Sequence, residues 1–332
     1  MISQEFTVRA LNRLRRKGGQ LKYKTDAGNY PQSVSDWNSF LTAVQDEILD
    51  GTFRFRPFTV RPLPKNKKMF TTHSLENIMV MRKINDNVRR AYRVKQANRL
   101  DIIRQVQQAL RETTPKHVIR LDIRSFYESV PKRALLKRLR TDRLVSTRTL
   151  DLLNRLLKLV SHQGTKGLPR GLQISATLAE LHAVKLERSL REIPGIYYVA
   201  RYVDDIVLFS YTSYESIAPK IDDAFSACGL TQNTEKTADV PITNCRCIST
   251  CIHAGIPCPC ASKCKCQPIY EQKHIRHIDI LGYRIAFPDV NDRKDKQENE
   301  VRVYMADRKI SKYKRRIYAS TASYRANGDF DL

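Results

Sequence analysis

The sequence lacks long apolar runs, an apolar N-terminus and, for its length, acidic side chains. No stretch approaches the roughly 18 apolar residues of a membrane-spanning helix, so we expect no association with the membrane. Residues 1–5 do not begin an apolar segment of the kind that signal peptides contain, and we expect a cytoplasmic protein. In such a reducing compartment the eight cysteines are not expected to form structural disulfides.

The shortage of acidic residues leaves a large positive charge. Lys and Arg number 59 against 34 Asp and Glu, a formal net charge of +25 over 332 residues. An excess of this size indicates a polyanionic partner such as nucleic acid. The basic residues concentrate in stretches 9–24, 54–68 and 82–95, and Phe53, Phe55, Phe58 and Phe70 interleave the second stretch. Basic and aromatic residues together favour phosphate neutralisation and base stacking; the alternative is a solvated basic face over an ordinary core.

Hydrophobic periodicity predicts an α+β chain with an antiparallel sheet. The expected elements are a strand at His117–Ile123, a helix starting at Pro131, a helix over 148–161, a turn at Gly164–Gly171, a helix from Ser175 to about Glu192, a hairpin with arms Ile196–Val199 and Ile206–Phe209, a helix from about Ser216 to Ala227, a β-like segment Ile278–Phe287 with a bend or bulge at Gly282, and a basic helix Met305–Ile317. Leu178, Leu181 and Val184 would form the apolar side of the helix that follows the glycine turn.

Three aspartates stand out because their surroundings are apolar. Asp204 and Asp205 lie at the tip of the expected hairpin, and Asp122 lies in the expected strand before it. Paired aspartates are common in surface turns, but burying several carboxylates is costly unless cations compensate them. Carboxylate oxygens are preferred magnesium ligands, and two such ions can catalyse in-line displacement at phosphorus. The pattern therefore predicts two Mg²⁺ ions held by these three side chains.

Five motifs in order resemble those of the reverse transcriptases, across roughly residues 50–320. They are LDIRSFY at 121–127 (motif A), GLPRGLQIS at 167–175 (motif B), YVDD at 202–205 (motif C), 229–236 (motif D) and ILGY at 280–283 (motif E, the primer grip). Many relatives carry Gln where this chain has Arg170 and Pro where it has Ala176. This spelling of motif B resembles the bacterial abortive-infection and anti-phage reverse transcriptases more than the retroviral, retron or intron enzymes.

The resemblance implies a right-hand polymerase fold with fingers, a palm built on the antiparallel sheet, and a short thumb. The implied division is 1–115 for the N-terminal region and fingers, 116–244 for the palm with motifs A to D (its part 131–165 helical and shared with the fingers), 245–267 for a Cys-rich insertion, 268–295 for the end of the palm and the primer grip, and 296–332 for a partial thumb. A partner subunit, a bound RNA or a missing extension would complete the grip.

The resemblance also implies residue roles. Asp122 and Asp204 would bridge two magnesium ions, Asp205 would be an accessory ligand, and Lys236 would neutralise or protonate the leaving pyrophosphate. Tyr127 would be the steric gate that rejects a ribose 2′-OH, unless it is a core aromatic. Arg170 would add a fixed cation near the substrate ribose or the template. The implied substrate-binding residues are Tyr127, Phe126, Arg170, Gly171, Gln173, Ser175, Lys65, Lys68 and Arg82, and the primer grip comprises Leu281, Gly282 and Tyr283.

Seven cysteines between motifs D and E form a repeat with an offset of 13 residues. The first half is Cys245, Cys247, Cys251 and His253, and the second is Cys258, Cys260, Cys264 and Cys266. Each half offers the four ligands of a closed tetrahedral zinc site, so we expect about two structural Zn²⁺ ions with sequential or interleaved ligation. An iron–sulfur cluster, free thiols and disulfides are the alternatives. Cys228 stands apart and is expected to be a small buried hydrophobe.

The leading hypothesis is therefore an RNA-directed DNA polymerase that adds dNTPs with two magnesium ions. By resemblance it would serve bacterial anti-phage defence, where it would copy a small noncoding RNA or make untemplated DNA. The expected partners are an RNA template, a DNA product, and a partner protein or a second copy of the chain. An RNA-dependent RNA polymerase is the rival enzyme, against which Tyr127 argues; a retron-like or intron-like reverse transcriptase is another. A non-catalytic nucleic-acid-binding subunit is the rival from a different class.

Overall fold

The computed structural model of the protein describes residues 3–17, 31, 33–64, 66–112, 114–242, 276–287 and 301–327. The helices are α1 (Val8–Lys17), α2 (Val34–Leu49), α3 (Leu75–Ala91), α4 (Arg99–Arg111), α5 (Phe126–Ser129), α6 (Lys132–Asp142), α7 (Thr147–His162), α8 (Gln173–Arg191), α9 (Tyr214–Ala227), a 3₁₀ helix (Thr234–Lys236) and α10 (Asp307–Asn327). The strands are β1 (Thr59–Leu63), β2 (Lys67–Thr71), β3 (Lys116–Asp122), β4 (Ile196–Tyr202), β5 (Asp205–Ser210), β6 (Ala238–Ile242), β7 (Arg276–Ile280), β8 (Tyr283–Phe287) and β9 (Arg302–Met305).

The chain divides into two compact units. Unit 1 comprises Met1–Gln96, Ile123–Leu186 and Ala224–Thr231. Unit 2 comprises Ala97–Asp122, Glu187–Asp223 and Gln232–Leu332. None of the helices in the described ranges is long and apolar enough to cross a membrane.

Unit 2 is built on a four-stranded antiparallel sheet in the order β4-β5-β3-β6. The central strand β3 carries Val118, Ile119 and Leu121 fully buried, so both of its faces are covered. Apolar side chains of α4, β3, β5, β7 and β8 meet in one core, which includes Val106, Phe209 and Ile285. The predicted strand His117–Ile123 and the predicted hairpin are confirmed, and the α+β class with an antiparallel sheet follows from them.

A second sheet of unit 2 has the order β7-β8-β9. Its first two strands form a hairpin whose turn, Leu281–Gly282, has both φ angles positive, at 53° and 79°. The bend or bulge predicted at Gly282 within one β-segment is therefore wrong. Two consecutive left-handed residues reverse the chain completely and give a two-residue hairpin turn.

Unit 1 is mainly helical, with α1 packed on α2 and α3, and α7 packed on α3 and α6. The hairpin β1–β2 belongs to the same unit. All four phenylalanines that interleave the second basic stretch are buried, with Phe53 at 1% and Phe70 at 0% exposure. The stacking role predicted for these rings is therefore wrong, because the rings are buried in the core.

Several helices follow their predicted limits closely. The helix predicted over 148–161 is α7, and the one predicted from Ser175 is α8, which begins two residues earlier at Gln173. Val184, placed on the apolar side of α8 by its spacing, is 47% exposed. Pro131 caps α6 rather than opening it, and the helix begins at Lys132.

The C-terminal basic helix also differs from its predicted limits. Met305 ends β9, and α10 runs for 21 residues from Asp307 to Asn327 instead of ending at Ile317. Ser320 and Thr321 lie within α10 and do not end it. The hydrophobic periodicity beyond Ile317 is too weak to predict that the helix continues.

Candidate active site

The hairpin β4–β5 and the neighbouring strand β3 bring the three aspartates of interest into one corner of unit 2. In the register of the sheet, Asp122 at the end of β3 lies opposite Asp205 at the start of β5. Asp204 is in the turn immediately before Asp205. The sheet thus brings together the three carboxylates that the sequence separates by more than 80 residues.

The turn before β5 is conformationally strained. Val203 has φ = 58°, which is unusual for a β-branched residue because its side chain collides with the backbone in the left-handed region. The Arg201 guanidinium donates to the Val203 carbonyl oxygen at 3.0 Å and lies 3.6 Å from the Glu187 carboxylate. Arg201 is only 6% exposed, so a buried cation holds the carbonyl group of the strained residue.

Asp122 is buried and has polar partners on both carboxylate oxygens. Lys236 Nζ donates to Oδ2 at 2.7 Å, and Asn233 Nδ2 donates to Oδ1 at 2.9 Å. The Asn233 backbone N–H also donates to the Asp122 carbonyl oxygen at 2.8 Å, which ties the 3₁₀-helix segment to the end of β3. The two side chains of motif D therefore orient one of the predicted metal ligands.

Asp205 and Asp204 have different electrostatic environments. Arg120, two residues before Asp122 on β3, donates to Asp205 Oδ1 at 2.8 Å. Burial, followed by the charges of Asp205 and Asp122, raises the pKa of Asp204 above its ordinary value of 3.8. Asp204 is thus the carboxylate whose negative charge the protein compensates least.

The predicted magnesium site can be tested against this donor set. In the parts of the chain that the structure describes, no group of three or more His, Cys, Asp or Glu side chains is already arranged to hold a metal ion. The Asp122 carboxylate pairs with Lys236, and the Asp205 carboxylate pairs with Arg120. The chemistry of the donor set nevertheless fits the predicted ions, because Asp122 and Asp205 are paired across the sheet next to Asp204 and carboxylate oxygens suit Mg²⁺.

The predicted primer grip lines a groove in the same unit. Leu281, Gly282, Asp205 and Tyr313 border this groove of about 320 Å³, together with four basic side chains. These are Arg99, Lys309, Lys312 and Arg316. Lys309 Nζ lies 4.3 Å from the centre of the Tyr283 ring, so the third residue of the predicted grip contacts α10.

The substrate-pocket residues predicted from motifs A and B belong to unit 1. Tyr127 is half-buried, and the Arg170 guanidinium lies 5.2 Å from the centre of its ring. Arg170 also pairs with Glu128, at 2.5 Å from Nε to Oε1 and 2.9 Å from Nη2 to Oε2. Arg170 is therefore a fixed cation, and its fork is paired with a carboxylate of the protein.

Other predicted pocket residues have mainly structural contacts. Phe126 is 2% exposed, and Ser175 is buried with its Oγ donating to the Pro169 carbonyl oxygen at 2.6 Å. Gly171 has φ = 93°, and Gln173 is exposed at the first position of α8.

The described basic candidates for triphosphate contacts have different partners. Lys68 is exposed, with Nζ at 3.4 Å from the Gly164 carbonyl oxygen, and Arg82 donates to the Leu14 carbonyl oxygen at 3.5 Å. Lys65 lies outside the described residues.

The predicted zinc ligands lie outside the described residues. They are Cys245, Cys247, Cys251, His253, Cys258, Cys260, Cys264 and Cys266. Cys228, by contrast, is 4% exposed, and burial raises the pKa of its thiol, as expected for a small buried hydrophobe.

Sequence reasoning missed Arg120, Arg201 and Glu128. Arg120 could have been found, because alternate residues of a strand share a face and Arg120 stands two positions before Asp122 in the same strand. No local signal identifies Arg201 or Glu128, whose partners depend on how distant segments pack.

The sequence signature of the reverse transcriptase (RNA-dependent DNA polymerase) family matches residues 54–285, more than half of the chain. The chain therefore belongs to the reverse transcriptase family. Membership implies a right-hand polymerase fold with mixed helix and sheet, and the nucleotidyltransferase class of enzymes.

Among solved structures, the chain is similar to three telomerase structures at low identity. Telomerase from Candida albicans in complex with the TWJ fragment of telomeric RNA is 14% identical with a TM-score of 0.37, and the match covers 65% of this chain and 37% of that one. Apo telomerase from Candida tropicalis truncated from its C-terminal domain is 12% identical with a TM-score of 0.41, covering 81% and 60%. Apo telomerase from Candida tropicalis is 11% identical with a TM-score of 0.42, covering 85% and 55%. The chain spans less than two thirds of each, and no curated protein matches it in sequence.

Proposed function

We propose that this protein is an RNA-directed DNA polymerase that extends a DNA strand with dNTPs. The observation that carries the proposal is the register between β3 and β5, which sets Asp122 opposite Asp205 beside Asp204. Family membership over residues 54–285 supports the same reading.

The three carboxylates are the proposed ligands of two Mg²⁺ ions. When bound, the ions would supply charge neutralisation for the reacting phosphate and the attacking 3′-oxygen. Asn233 and Lys236 hold Asp122 in its orientation, and Arg201 fixes the turn that carries Asp204. Lys236 is the proposed group that neutralises the leaving pyrophosphate, since its side chain remains 45% exposed.

Tyr127 is the proposed steric gate, and Phe126, Arg170, Gly171, Gln173 and Ser175 the proposed nucleotide-pocket residues. Lys65, Lys68 and Arg82 are proposed triphosphate contacts, and Leu281, Gly282 and Tyr283 the proposed primer grip. The groove beside Asp205 supports the grip, because four cations there suit a phosphate backbone. The division into fingers 1–115, palm 116–244 and 268–295, insertion 245–267 and partial thumb 296–332 belongs to the same proposal.

The setting we propose is bacterial anti-phage defence in the cytoplasm, with a noncoding RNA as template. The spelling of motif B supports the defence role, and the net charge of +25 supports a nucleic-acid template. Two structural zinc ions in the insertion complete the proposal.

The decisive experiment incubates the purified chain with a primed RNA and Mg²⁺, offering either dNTPs or NTPs. We expect primer extension with dNTPs alone, and none from Asp204→Asn. Exclusive use of NTPs would identify an RNA polymerase instead. A biological activity that survives Asp204→Asn would identify a non-catalytic binding subunit.

A further inference from the structure

Arg170 stands between an aromatic ring and a carboxylate that are neighbours in sequence. Its guanidinium lies 5.2 Å from the centre of the Tyr127 ring and makes two hydrogen bonds to the Glu128 carboxylate. The side chains of Arg170 and Glu128 are each 26% exposed, so most of the pair is shielded from water. One cation therefore connects both side chains.

The backbone on both sides of this contact is also fixed. The Leu168 N–H donates to the Tyr127 carbonyl oxygen at 2.7 Å, and the Phe70 N–H donates to the Arg170 carbonyl oxygen at 2.8 Å. A Cβ atom at Gly167 would lie 2.3 Å from the Glu128 carbonyl oxygen, so only glycine allows the two segments to approach this closely. Arg170 thus reaches Tyr127 from an anchored position.

The Glu128–Arg170 ion pair is chemically suited to holding the Tyr127 ring in place. A bidentate guanidinium–carboxylate contact fixes the plane of the fork, and a cation over an aromatic face attracts that ring. An aromatic ring in such a contact loses part of its rotational freedom about its side-chain torsions. Lysine would preserve the charge but not the planar fork, and glutamine would preserve neither.

We propose that the Glu128–Arg170 ion pair holds the Tyr127 ring in place and thereby sets the discrimination between deoxyribonucleotides and ribonucleotides. This inference rests on the proposed function, in which Tyr127 is the gate. A gate excludes a 2′-OH only if its ring cannot swing aside, and Arg170 is the cation that prevents this movement. Arg170 and Glu128 are positioning residues, because they act through Tyr127.

The expected effect is a change in selectivity. Loss of a partly exposed bidentate pair and of one cation–π contact should weaken rejection of ribonucleotides by about tenfold, or ~1.4 kcal/mol. The change should appear as a higher ratio of kcat/KM for the rNTP to kcat/KM for the dNTP, because only the ribose 2′-OH collides with the ring.

The experiment measures kcat/KM for one matched dNTP and rNTP in four variants. Glu128→Gln and Arg170→Gln remove the pair, Arg170→Lys retains the cation without the fork, and Tyr127→Ala removes the ring. Asp151→Asn is the matched control, because it breaks a different ion pair of unit 1, in which Arg155 lies 2.7 Å from Asp151. Thermal denaturation of each variant establishes that it folds.

We expect Glu128→Gln and Arg170→Gln to raise relative rNTP use about tenfold, Arg170→Lys to raise it less, and Asp151→Asn to leave it unchanged. Were Tyr127→Ala to increase rNTP use while Glu128→Gln and Arg170→Gln did not, the ion-pair inference would be wrong and the gate would stand. Were Tyr127→Ala itself without effect, the gate assigned under the proposed function would be wrong.

Discussion

At the scale of single residues, the charge around the carboxylates is distributed unevenly. Asp122 and Asp205 each have a cation within 3 Å, at 2.7 Å from Lys236 and 2.8 Å from Arg120. Asp204 is desolvated and repelled by both neighbouring aspartates, which raises its pKa. The protein itself therefore stabilises two of these carboxylates, and the third is the one that most needs a bound cation.

The first prediction is the effect of Asp204→Asn on thermal stability. Without divalent cations, Asp204→Asn should raise the midpoint of thermal unfolding at neutral pH, because it removes a carboxylate whose ionised form is disfavoured in the folded state. Mg²⁺ should then stabilise the wild-type protein more than the variant. Asp222→Asn, at an exposed position of α9, is the control and should change neither midpoint.

The same prediction has a pH dependence. A raised carboxyl pKa means that protonation stabilises the folded state, so wild-type stability relative to Asp204→Asn should recover as the pH falls through the raised pKa. Below the ordinary value of 3.8 the recovery should be complete. A difference between the two midpoints that does not vary with pH would contradict this explanation.

The second prediction concerns Arg120 and the affinity for magnesium. Arg120→Gln should bind Mg²⁺ about two- to fivefold more tightly, because Arg120 then no longer competes with the metal ion for the Asp205 carboxylate. The size of the gain follows from the pair, which is partly exposed and worth up to ~1 kcal/mol. Calorimetric titration with Mg²⁺ measures the dissociation constant. Arg104→Gln removes the same charge from an exposed pair with Asp101 in unit 2 and should have little effect; equal gains in both variants would point to net charge alone.

At the scale of elements, two turns depend on residues with positive φ angles. The Leu281–Gly282 turn joins β7 to β8 and lines the groove beside Asp205. The turn before α8 brings Gly171 against the β1–β2 hairpin, where an added Cβ would lie 2.4 Å from the Phe70 carbonyl oxygen. At Gly171, a close approach and a positive φ both require glycine.

The third prediction separates those two requirements. Gly171→Ala should destabilise the protein by about 2 kcal/mol or more, because it adds a backbone collision to the ~1 kcal/mol cost of a left-handed residue. Gly51→Ala is the matched control, since Gly51 has φ = 73° but nothing within 4 Å of its added Cβ. Denaturant unfolding monitored by circular dichroism measures both. Equal losses in the two variants would show that the contact with Phe70 is unimportant.

At the scale of the whole molecule, the net charge of +25 and the Cys-rich segment set the expected partners. The charge favours nucleic acid through release of counterions, so binding should weaken steeply as salt increases. The repeat within 245–267 remains the strongest sequence signal for a second type of metal.

The fourth prediction concerns that segment. Purified protein should contain about two equivalents of zinc by elemental analysis, and Cys258→Ser should lower this number. Cys228→Ala should retain it, because Cys228 is buried in unit 1 and has no part in the repeat. Iron in place of zinc would indicate a cluster, and the absence of any metal would indicate free thiols or disulfides.

The sequence by itself determined the features that depend on local pattern. Apolar alternation located β3 and the β4–β5 hairpin, helical periodicity located α7, and short motifs singled out Asp122, Asp204 and Asp205. Each of these signals spans only a few residues, because side-chain direction repeats every two residues in a strand and every 3.6 residues in a helix.

Only the tertiary structure decided the features that depend on partners distant in sequence. It paired Arg120 with Asp205 and Arg170 with Glu128, buried Phe53 and its neighbours, and turned the expected bend at Gly282 into a hairpin. A charged or aromatic side chain has the same local pattern whether it faces water, the core or a counterion. Its partner is fixed by strand register and packing, which no single stretch of the chain specifies.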